Sequence, residues 1–143
     1  MKKIVVLALF GLLAVAVPAQ AVHYSPAPHT PHNCTPHEVG YNASGALVNA
    51  ALTADGNGRY SGTLEVNVGK ANHHAPTGDQ TFTLTAAKVK FHHGVDPTAP
   101  APGSRVKLHG KITKLSKHCP SEGFSPTITV NKVDIAQPKH QKG

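Results

Sequence analysis

The stretch VHYSPAPHTPHNCTPHEVGY, residues 22–41, sets His23, His29, His32 and His37 around Cys34, among prolines. Imidazole nitrogens bind zinc, copper and nickel, and a thiolate completes a tetrahedral zinc site. If the chain is cleaved after Ala21, His23 becomes the second residue. Its ring and the free α-amine then chelate Cu(II), with His29 and His32 close by. The competing reading is a stiff polar lead-in. Proline favours extended polyproline II, and little in the stretch can be buried. No spacing matches a strong zinc signature such as C-x-x-C followed by H-x-x-x-H.

The residues before this stretch bear on where such chemistry would happen. Residues 1–21, MKKIVVLALFGLLAVAVPAQA, have a basic start at Lys2 and Lys3, an apolar run from Ile4 to Val17 and an A-x-A site at Ala19–Ala21. That pattern predicts a bacterial secretory signal peptide, and hence a secreted or periplasmic protein of the cell envelope. No later apolar run is long enough to span a membrane, so no integral span is expected after cleavage. The chain has 14 basic and 7 acidic residues, and losing Lys2 and Lys3 lowers the net charge from +7 to +5. A modestly basic exported protein favours anionic partners, either envelope polymers or acidic proteins. The two cysteines, Cys34 and Cys119, read first as a disulfide in an oxidising compartment.

From Val39 the sequence reads as strands with turns between them. Residues 39–53 are apolar and small, interrupted at Gly45 as at a bend or bulge. ADGNG at 54–58 is a hairpin turn. Residues 59–73 alternate, with Tyr60, Leu64, Val66 and Val68 on one side. Residues 81–92 alternate in two phases, and the slip at Ala86–Ala87 predicts a bulge. A Pro-rich connection at 96–103 leads to a basic alternating strand at 104–115, and 127–135 is a last strand with a slip near Asn131. The organisation expected is a signal peptide over 1–21, a flexible, disordered Pro/His-rich arm over 22–37, an all-β domain over 38–136 and a loose polar tail over 137–143. Five long bent strands without an amphipathic helix favour a small Greek-key barrel over a sandwich.

The run PGSRVKLHGKITKL resembles the fourth strand of bacterial OB-fold domains, in which a Pro-Gly turn leads into a basic, alternating strand with a central glycine. The wider pattern over 38–136 is similar to uncharacterised secreted bacterial proteins with an OB-like barrel. The resemblance implies a five-stranded OB-like barrel and carries no catalytic residues with it. VDPTAPAPG stands where many OB folds have a helix. In an OB barrel strand one pairs with strands two and four, which would bring Cys34 and Cys119 to one end. The same end would gather His37, His73 or His74, and His118 as a possible copper or zinc site. Reduced cysteines with two of these histidines would suit tetrahedral zinc, which export disfavours.

Outward positions on strands three and four supply Lys88, Lys90, Arg105, Lys107 and Lys111, a candidate face for anions, although an ordinary solvated sheet face has the same composition. Nucleic acid is disfavoured, because single-strand binders stack bases on exposed aromatics and Tyr60, Phe82 and Phe91 fall on the inward phase. We find no nucleophile elbow, phosphate-cradling loop or paired carboxylates. The sequence therefore points to a non-enzymatic binding or structural module of the cell envelope, contacting an anionic polymer or a protein. The alternative is a metal-binding envelope protein that uses the arm and the disulfide-end histidines.

Overall fold

The computed structural model describes residues 34–139, and these contain five strands and no helix. The strands are β1 (His37–Gly56), β2 (Arg59–Ala71), β3 (Gly78–Phe91), β4 (Arg105–Lys114) and β5 (Ile128–Ala136). The segment expected to be a signal peptide and most of the expected His/Pro arm, including His23, lie outside the described residues.

The sheet closes on itself in the order β1-β2-β3-β5-β4, with β4 returning to β1. All pairings are antiparallel except β3 with β5, which is parallel over Lys88–Phe91 and Lys132–Ile135. Alternation explains the core. Leu64, Val66 and Val68 of β2, Phe82 and Leu84 of β3, Val106 and Leu108 of β4 and Val133 and Ile135 of β5 all point inward and are buried. Closure leaves each strand one face for the core and one for solvent.

Three irregularities expected from the sequence are present. Gly45 sits at a register shift between β1 and β2. At Ala86 φ is +47°, and β2 skips from Tyr60↔Ala87 to Gly62↔Leu84. This bulge is clamped, since Arg59 Nη1 donates to the Ala86 carbonyl (2.9 Å) and the Ala86 amide donates to Ser61 Oγ (2.9 Å). Ser61 in turn donates to Asp55. Across β4 and β5 the register passes from His109↔Lys132 to Gly110↔Val130, leaving Asn131 as the extra residue. Bulges bend and twist a strand, which is how few strands can close a barrel.

The disulfide joins Cys34 to Cys119 across a separation of 85 residues, with Cα atoms 5.6 Å apart. In the chain-entropy model a loop of that size is worth roughly 4–5 kcal/mol. Two boundaries differ from expectation. The segment 34–37, expected in the arm, is tied down: Cys34 is bonded and His37 pairs with Lys114. Gln137, expected in the loose tail, donates to the Gly94 carbonyl (2.8 Å) and accepts from Arg105 Nε (2.9 Å). The β3–β4 connection holds itself without a helix. The Thr98 amide and hydroxyl both donate to Asp96 Oδ1, and these bonds hold the Asp96 carboxyl below the usual range.

Two substitutions test the packing. A Cβ on Gly110 would lie 1.9 Å from the Thr129 carbonyl oxygen, so β4 and β5 must part to admit it. We expect Gly110→Ala to cost about 1–3 kcal/mol in denaturant unfolding. Tyr41 is 1 % exposed, its hydroxyl has no hydrogen-bond partner, and burial pushes the phenol above its ordinary pKa. Tyr41→Phe removes that unpaired group and should leave stability equal or raise it by about 1 kcal/mol. A loss of several kcal/mol would show that the hydroxyl is satisfied.

Candidate basic groove

Register places the outward side chains of all five strands in rows. In one row Lys88 of β3 lies opposite Lys132 of β5, Lys132 opposite His109 of β4, and His109 opposite Asn42 of β1. In the next, Lys90 faces Asp134, Asp134 faces Lys107, Lys107 faces Ser44, and Ser44 faces Lys70 of β2. Arg105 follows one pleat further along β4, beside Ala136. Lysine outnumbers every other charged type on this face.

A groove of about 900 Å³ crosses these rows. Small residues floor it, namely Ser44, Gly45, Gly69 and Ala136, and Lys70, Arg105, Lys107, His92, His109 and Lys139 wall it. Gly45 is needed for a physical reason. A Cβ there would sit 2.0 Å from the Asn67 carbonyl oxygen, so only glycine lets β1 pass this close to β2. Asp134 is the one carboxylate among the lining residues.

Asp134 organises the centre. Its side chain is 16 % exposed, with His92 Nε2 at 3.6 Å, His109 Nε2 at 3.7 Å and Lys132 Nζ at 3.6 Å. All three are longer than hydrogen bonds, and the two histidines are ion-pair partners of Asp134 only in their protonated form. The ring of His109 is oriented from its other side, where Nδ1 lies 2.7 Å from Asn42 Oδ1. Asn42 is itself held by Asn72. The Asn42 amide donates to Asn72 Oδ1 (2.9 Å), the Asn72 amide donates to the Asn42 carbonyl (3.0 Å), and Asn72 Nδ2 donates to the Gly40 carbonyl (2.9 Å). A chain of polar contacts thus runs from the end of β2 to the centre of the groove.

Of the five cations expected to form the face, Lys88, Lys90, Arg105 and Lys107 share it. Lys111 is exposed one pleat beyond His109 on β4, and its Nζ lies 3.0 Å from Glu38 Oε2, so its charge already has a partner. Sequence reasoning missed Lys70, Lys132, His92, His109 and Asp134 as members of the same group. Their outward phase was readable, but their convergence depends on the β3–β5 and β4–β5 registers.

The histidines expected at the disulfide end do not form a ligand set. His37 begins β1, His73 and His74 occupy a turn with φ near +54°, and His118 is exposed beside Cys119. Among the described residues no group of three or more His, Cys, Asp or Glu is placed to hold a metal ion. The disulfide leaves no free thiolate, so the thiolate–histidine zinc arrangement is not formed.

Fold and site together define an all-β, five-stranded closed sheet with a cationic groove on its outer face. No family model, no curated protein and no solved structure matches the chain.

The Asn42 contact makes a prediction about protons. At 2.7 Å it outweighs the 3.7 Å approach of Asp134 on the other side of the ring, so neutral His109 carries its proton on Nδ1. Two-bond ¹H–¹⁵N correlations should show that tautomer, and Asn42→Ala should shift it toward Nε2–H. An Nε2–H tautomer in the unaltered protein would contradict this reading.

Proposed function

We propose that the protein is a non-enzymatic binding module of the cell envelope, secreted or periplasmic, that docks an anionic polymer in the basic groove. The observation that carries this reading is that Lys70, Arg105 and Lys107 line a groove with a single carboxylate, Asp134, while Lys88, Lys90 and Lys132 stand on the adjoining register rows. Like charges brought together on a folded surface cost stability, and an anionic ligand reverses that cost. A linear polymer suits an open, shallow groove with a floor of small residues.

Other features support parts of this reading. The strand order β1-β2-β3-β5-β4 with closure through β4 and β1 is the one expected of an OB-like Greek-key barrel. A disulfide, together with the leader-like sequence at 1–21, favours export. No helix among the described residues is long and apolar enough to cross a membrane. No Phe, Tyr or Trp side chain lines the groove, and Tyr41–Phe82 and Tyr60–Phe91 pack as ring pairs. Stacking on nucleic-acid bases therefore has no platform there, and charge is what recognises the ligand.

Binding to long-chain polyphosphate, with neutral dextran as control, tests the proposal. Affinity should fall steeply as salt rises, because exposed charges are screened within about 10 Å at 0.1 M. Lys107→Glu combined with Lys132→Glu should weaken binding roughly tenfold or more, equivalent to about 1.4 kcal/mol. Asp134→Asn should tighten it, and Lys111→Gln should leave it nearly unchanged. Salt-independent binding, or none, would overturn the proposal.

A further inference from the structure

β1 has two halves with different company. From His37 to Ala46 it pairs with β4, and the contact ends where the Leu47 amide donates to the Ser104 carbonyl and the Gly103 amide donates to the Leu47 carbonyl. From Asn49 to Ala54 it pairs with β2 alone, and Val48 is the extra residue at the register shift between Leu47 and Asn49. Among the described residues no strand pairs with its other flank. An unpaired strand edge offers a row of backbone donors and acceptors to any extended chain.

Register shifts between Leu47 and Asn49 and between Ala54 and Gly56 bound this edge, but no charge or proline interrupts the stretch between them. Residues 48–54, VNAALTA, contain no charge and no proline. Val48 is 43 % exposed and is the exposed large hydrophobic residue of the described chain. Ala50 and Leu52 point toward the core yet are only partly buried, so apolar surface opens along the same flank. β3 has a comparable flank over 78–87, where it pairs only with β2, but there Phe82 and Leu84 are fully covered and Asp79 adds a charge.

The candidate occupants differ in chemistry. The chain's own arm, VHYSPAPHTPHN, has prolines at 26, 28 and 31, and proline cannot donate to a ladder. A second copy fits better. An antiparallel pairing about a two-fold axis at Ala51 sets Asn49 opposite Thr53 and Ala50 opposite Leu52. Polar meets polar and large meets small. The β2 register shows Asn49, Ala51 and Thr53 on the outer phase and Ala50 and Leu52 on the inner one, so paired residues share a face as antiparallel strands require. The chain is net basic, but this segment places no charge at the contact. We infer that the protein self-associates as a two-fold dimer through edge-to-edge pairing of β1 over Asn49–Thr53, joining two closed sheets into one continuous sheet.

Sedimentation and light scattering on the disulfide-bonded chain, over a wide concentration range, test this directly. The measured mass should double as concentration rises and return to one chain on dilution. Ala51 is exposed, so Ala51→Lys and Ala51→Glu should fold, which circular dichroism checks. Each alone should remain monomeric, because like charges would oppose each other across the axis. An equimolar mixture of the two should recover the doubled mass. Amide exchange in the unaltered chain gives a readout without variants, since exchange over 49–53 should slow as concentration rises. A monomer at every concentration with unchanged exchange, or a dimer indifferent to Ala51→Lys, would overturn the inference.

Discussion

Four residue pairs hold the architecture closed. Lys88–Phe91 of β3 lies parallel to Lys132–Ile135 of β5, and this short ladder is the only seam between the two. Inside, it sets Val89 against Val133 and Phe91 against Ile135, joining the two edges of the core. Outside, it sets Lys88 beside Lys132 and Lys90 beside Asp134, joining the two halves of the basic face. The His92 amide extends it by donating to the Ile135 carbonyl (2.9 Å). Parallel pairing across a long connection carries a large ordering cost. Apolar burial along the seam is what offsets that cost, since Val89, Val133 and Ile135 are all buried. Core and site therefore share one support, and loosening the seam would disperse the cations.

The groove follows from how such a small sheet must bend. Bulges at Ser44–Gly45, Ala86 and Asn131 supply the curvature, and glycine at 45 lets adjacent backbones approach. Where side chains are missing the outer surface sinks, and long basic side chains on the neighbouring pleats rise around the depression. Asp134 moderates the resulting repulsion. It is the least exposed member of its ion-pair cluster and takes three basic neighbours at once. An exposed ion pair is typically worth under 1 kcal/mol, so Asp134 arranges the groove more than it stabilises the fold.

Much of this was legible before any coordinates. Alternation in residues 59–68 and 104–112 marked the inward side chains, and phase slips marked the bulges at Ala86 and near Asn131. Periodicity carries that information because a strand exposes alternate residues whatever its neighbours are. Registers do not leave such a trace. Nothing local says that Lys111 meets Glu38, that His92 approaches Asp134, or that Asn72 fixes Asn42 and through it His109. The Gln137 contacts with Gly94 and Arg105 were hidden for the same reason, because a polar tail residue looks the same whether it is bonded or free. The histidines show the converse error. Topology brings several to one end of the sheet, but sharing an end is a weaker condition than sharing a coordination sphere.

In the proposed function polyanions bind where β2, β3, β4 and β5 present their outward cations. A titration of the isotope-labelled chain with polyphosphate, followed by amide and lysine side-chain NMR, tests it most directly. The account predicts saturable shifts at Lys70, Lys90, Lys107, Lys132 and Asp134, with Lys111 and the Asp55–Gly58 turn unmoved. Shifts centred on Lys111 or on the disulfide-end histidines, or no shifts at low salt, would contradict it.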